Sequence, residues 1–141
     1  MKYFTYRELS NSATARRLGI DNTPSDTVKM RLEALVDSVL DPLRKLYNKP
    51  IKVTSGYRCP KLNSVVGGAQ NSQHMRGEAA DITSMGDDLD ENKRILDILL
   101  KSGIVFDQLL VEHPDKKGRP DWIHVSFTKR RPNRKQILVV K

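Results

Sequence analysis

Between Val28 and Leu46 the apolar positions Val28, Leu32, Leu35, Val36, Val39, Leu43 and Leu46 recur at intervals of three and four. That spacing lines one face of a helix. Ser25 or Asp26 caps this helix, which is expected to run to about Tyr47 and to kink or divide at Pro42, where an amide hydrogen is missing. Two short helices precede it. Thr5 with Glu8 three residues on forms a capping-box signature, and Ser12 starts a second helix that Gly19 ends as a left-handed cap. After the turn Asn48-Lys49-Pro50, the pattern shortens to period two in Ile51–Thr54, a strand signal. Leu62, Val65 and Val66 indicate a brief helix closed by Gly67-Gly68.

Glu78–Thr83 reads as a central strand, with Ala80 and Ile82 on one face and Ala79, Asp81 and Thr83 on the other. A helix follows from Asp87, carrying Ile95, Leu96, Leu99 and Leu100 inward and ending at Gly103. Phe106–Glu112 and Trp122–Phe127 are further strands, joined by a polar hairpin loop from His113 to Pro120. In the second of these, alternation sends Ile123, Val125 and Phe127 to the core and Trp122, His124 and Ser126 to the opposite face. Gln136–Val140 is an expected edge strand, and the basic run Lys129–Lys135 before it an expected solvated loop.

Composition places these elements in one compact domain, residues 1–141, of a soluble globular protein with 38% hydrophobic and 30% charged residues. The lone cysteine, Cys59, has no intramolecular disulfide partner and reads as structural. No apolar run is long enough to span a membrane, and the polar start shows no signal-peptide core. The formal charge of +8 favours anionic partners. Nucleic acid is not expected among them, because neither a stacking series of aromatics nor a recognition motif accompanies the charge.

The candidate chemistry lies in His74, Asp81 and His124. Asp81 sits on an apolar strand and requires a partner, since an unpaired buried carboxylate is costly. Two imidazoles and one carboxylate match the ligand set of a catalytic zinc, whose fourth position is left open. Asp121, three residues before His124, is the candidate general base, and Arg58 stands where it can reach into the same cleft. His113 is read as a solvated histidine.

The ordered motifs Ser55–Pro60, Leu62-Asn63, Val66–Gly68, Ser72–His74, Gly77, Ala80–Ile82 and Trp122–Ser126 resemble those of the zinc D-Ala-D-Ala carboxypeptidases and related peptidoglycan endopeptidases. The similarity extends through Phe4–Leu9, Ala13–Thr23 and Phe106–Leu110. It implies an α+β hedgehog/DD-peptidase fold, in which a small, mostly antiparallel sheet packs against helices and carries zinc on its face. It implies zinc at His74, Asp81 and His124, an acid near His124 as base (Asp121, with Glu112 in reserve), and substrate contacts from Arg58, Ser72 and Gln73. Trp122 either stacks on substrate or covers the metal. The implied substrate is a peptidoglycan stem peptide, cut at a D-Ala-D-Ala bond or at another bond near a D-residue. A monomer is expected, and the start without a signal-peptide core points to a phage- or prophage-type enzyme that acts on the cell wall after release. A non-catalytic zinc-containing wall-binding module on the same fold is the alternative.

Overall fold

The computed structural model describes residues 1–141. Two short helices, α1 (Tyr6–Ser10) and α2 (Ala13–Leu18), lead to a long helical run. Thr5 caps α1 by accepting from the Glu8 amide, whereas the Glu8 side chain meets the Thr5 hydroxyl rather than its backbone, so the capping box is half formed. Ser12 and Gly19 cap α2 as expected, with Gly19 at φ 66°.

The long run does not break at Pro42. It passes from α3 (Asp26–Leu35) through a π-helical turn (Val36–Leu40) into α4 (Asp41–Tyr47). In that turn the Asp41 amide donates to the Val36 carbonyl, five residues back. The widening falls just before Pro42, whose ring crowds the preceding turn and whose missing amide interrupts the regular ladder. It also shifts the phase of the apolar stripe. Leu43 and Tyr47 are buried while Leu46 is 57% exposed, so Tyr47 takes the core position expected of Leu46.

The five-stranded sheet has the order β1-β2-β4-β3-β5. Its strands are β1 (Ile51–Ser55), β2 (Ala79–Ser84), β3 (Gln108–Glu112), β4 (Trp122–Ser126) and β5 (Gln136–Val140). All neighbours pair antiparallel except β3 and β5, which run parallel. The fold is α+β, as expected. Two further helices complete it, α5 (Pro60–Val65), with Cys59 at its N-cap, and α6 (Leu89–Lys101). Val65 and Val66 are exposed; α5 anchors itself through Leu62 and Asn63 instead. On α6, Ile95, Leu96 and Leu99 are buried, but Leu100 lies on the outer side of the helix and is exposed.

One apolar cluster joins the helices to one sheet face. Ala80, Ile82, Leu109, Val111, Ile123 and Val125 supply the sheet side, against Leu32, Leu35, Val39, Leu43, Ile95 and Leu99. Because side chains alternate along each strand, burying this set turns Asp81, Leu110, Glu112, Trp122 and His124 to the other face. No helix is long and apolar enough to cross a membrane.

Removing side chains along the helical run tests the phase shift. Leu43→Ala is expected to cost about 2–5 kcal/mol, and Leu46→Ala no more than about 0.5 kcal/mol, both read from urea denaturation midpoints. Equal losses at the two positions would contradict the phase shift.

Candidate metal centre

His74 is held by its backbone before its ring meets anything. Ser72 caps the 3₁₀ turn Gln73–Arg76 by accepting from the His74 amide, and Gly77, at φ 77°, ends the turn. The ring's Nδ1 lies 2.7 Å from the Gly56 carbonyl. A carbonyl only accepts, so Nδ1 carries the proton and Nε2 keeps a free lone pair. Gly56 is itself constrained, because a Cβ there would collide with the backbone of Leu9. The neighbouring Tyr57 amide donates to the Leu9 carbonyl at 2.6 Å. Helix α1 thus sets the position of the carbonyl that orients His74.

Asp81 and His124 are directly opposed across β2 and β4. Asp81 Oδ1 lies 2.9 Å from His124 Nδ1 and 3.3 Å from His74 Nε2. The three potential ligand atoms all fall within 4.8 Å of one another. A tetrahedral zinc with bonds of about 2.0–2.1 Å spaces neighbouring ligand atoms by about 3.3 Å. The donor set and its spacing therefore fit zinc. Burial pushes the Asp81 carboxyl up, and the hydrogen bond from His124, with the second imidazole of His74 close by, outweighs it, holding Asp81 below the usual carboxylate range.

These three residues open into a cleft of about 710 Å³. Arg58, Ser72, Gln73, Glu112 and Trp122 line it, and Asp121 does not. The alternation that aims His124 into the cleft turns Asp121 away. Asp121 is exposed and contributes only backbone bonds, its amide to the Glu112 carbonyl and its carbonyl to Asn92. Glu112 pairs directly with Trp122, two residues before His124. That makes it a diagonal neighbour of His124, about 7–8 Å away along the shared face. Burial and the negative charge of Asp81 push its carboxyl up. Burial lowers Arg58, against the opposing pull of Asp81, and its Nε is buried with no hydrogen-bond partner. His113 is exposed, with its ring centroid 5.1 Å from that of Trp122.

The basic run is not a solvated loop. Arg130 makes two bonds to Glu78, and Arg131 and Arg134 each make two side-chain bonds to Asp107. Glu78 and Asp107 are buried, at 1% and 0% exposure, so removal of their arginines would leave charge stranded in the interior. Gln73 Nε2 bridges both acids, at 3.3 Å to Glu78 and 3.1 Å to Asp107. All three arginines line the cleft, together with Arg76, Gln108 and Leu110. The usable sequence signal was the acids: Glu78 and Asp107 flank apolar strands and require cationic partners.

A family model described as Peptidase M15 matches residues 2–126. A stretch of 35 residues, 25% of the chain, is 57% identical to the zinc D-Ala-D-Ala carboxypeptidase of Streptomyces albus G. The match spans 14% of that relative's length.

Burial pushes Glu78 up, while hydrogen bonds from Arg130, Thr128 and Gln73 more than offset it and hold the carboxyl below its ordinary value. A depressed folded-state pKa contributes stability that is complete above the unfolded value and lost as pH falls through the folded one. The urea midpoint is therefore expected to drop as pH falls below about 4.3, with a shallower drop in Glu78→Gln. A wild-type midpoint that stays level between neutral pH and about 3 would count against this pairing.

Proposed function

The chain belongs to the peptidase M15 family, and from that premise we propose that residues 1–141 form one peptidase domain that hydrolyses peptide bonds in peptidoglycan stem peptides, at or near a D-residue. The observation that carries this reading is the convergence of His74, Asp81 and His124 at the floor of a cleft with Glu112 on the same sheet face. Zinc is the cofactor, and His74, Asp81 and His124 would hold it. When bound, it supplies Lewis acidity toward the scissile carbonyl and acidifies water.

The chain's own groups do the rest. Glu112 accepts the proton of the attacking water and returns it to the leaving amine. Its position two residues from the His124 register, in partial burial, supports that role over Asp121. Arg58 lines the cleft, where its guanidinium offers N–H donors to a substrate carboxylate or carbonyl oxygen. Ser72 fixes the histidine turn, Gln73 supports the cleft floor, and Trp122 forms a wall on which substrate packs. The 57% identity to a zinc D-Ala-D-Ala carboxypeptidase, though over a short stretch, supports the D-residue specificity.

Purified protein should hold about one zinc per chain, and His74→Ala should lose it; full occupancy in that variant would refute the ligand assignment. Mass spectrometry of a peptidoglycan digest should reveal released D-Ala or cleaved stem peptides, abolished by chelator. Glu112→Gln should keep its zinc and lose about 10²–10⁴ in rate, while Asp121→Asn should retain activity. The reverse pattern would return the base to Asp121. Zinc-loaded protein that cleaves nothing would indicate a binding module.

A further inference from the structure

The cleft is electrostatically divided along the sheet. Glu112 stands toward one end of the metal-ligand row, and Arg130, Arg131 and Arg134 gather at the other, over Glu78 and Asp107. Three guanidinium groups face two carboxylates there, so one positive charge is left unbalanced. Their side chains remain 35%, 38% and 46% exposed despite these pairings. Each is oriented by paired bonds onto a buried acid and still has N–H donors free.

We propose that Arg130, Arg131 and Arg134 form a subsite that takes a carboxylate of the substrate peptide, making this an enzyme for acidic peptides. The proposal rests on the peptidase reading and names the substrate feature that reading leaves open. Guanidinium groups already held in place lose little conformational freedom on binding, and their planar donors match a carboxylate in two-pronged fashion. Position sets the spacing. Glu78 lies three residues before Asp81 along the same run of chain, about 10 Å in extended backbone. A substrate lying extended along the cleft advances by the same rise per residue, so its carboxylate falls about three residues from the scissile bond. The acidic end at Glu112 repels the same group and favours one direction of lie. The segment carrying these arginines lies beyond residues 2–126, the part matched by the family.

Two synthetic peptides ending in D-Ala-D-Ala test it, one with a free internal carboxylate three residues before the scissile bond and one with that group as its primary amide. Zinc-loaded wild type should cleave the acidic peptide with kcat/KM about tenfold or more above the amide. In zinc-loaded Glu112→Gln, calorimetry without turnover should show a similar preference in Kd. Adding Arg134→Gln should shrink the ratio, and Arg134→Lys should restore part of it. Asp107 keeps its bonds to Arg131 and Gln73 in these variants, and the wild-type comparison needs no variant at all. Equal cleavage of both peptides would overturn the subsite and leave the peptidase reading standing. Preferential binding with no cleavage by wild type would overturn the peptidase reading, and with it the substrate role of the arginines.

Discussion

Asp81 is a carboxylate on an interior strand, flanked by two imidazoles and directly opposed to one of them across the ladder. Such a group is tolerated there only with strong partners. Meeting that requirement demands that β2 and β4 pair in one register and that the histidine turn close down over them. A slip of one residue between β2 and β4 would face Asp81 with Ile123 or Val125, and would send one strand's apolar set to the solvent face. The same register seats Ala80, Ile82, Ile123 and Val125 in the core. Site and core are thus two faces of one pairing.

Support for the site comes from distant parts of the chain. The α1 backbone leaves room only for glycine at position 56, and the Gly56 carbonyl then orients His74. On the other side, Gln73 ties the residue next to His74 to Glu78 and Asp107, and the C-terminal arginines neutralise those acids. The buried ion pairs need not add much net stability, because desolvation offsets their attraction. Their larger effect is to hold the basic segment against the cleft.

The helical run shows the limit of reading pattern alone. Leu35, Val39, Leu43 and Tyr47 are separated by successive intervals of four, which a regular helix rotates steadily off its stripe. A regular helix would have kept Leu46 inward; the π-helical turn before Pro42 absorbs the drift instead. Proline made a disturbance certain, but whether it became a break, a kink or a widened turn depended on the core packed against it.

Local chemistry in the chain determined most of the elements, because caps and alternation act over a few residues, and it singled out His74, Asp81 and His124 as candidates. The candidate set was legible because a carboxylate on an apolar strand needs a partner and the chain has few histidines, and because the motifs around it resemble those of zinc peptidases. Tertiary structure alone decided which acid shares their face. Asp121 is nearer to His124 in sequence but lies out of phase by an odd number of residues, whereas Glu112 comes from a neighbouring strand whose register is set by pairing. It also decided that Arg130, Arg131 and Arg134 turn inward, because their partners lie between 24 and 52 residues away. Charge on a loop says nothing of its direction until the buried acids that draw it are in place.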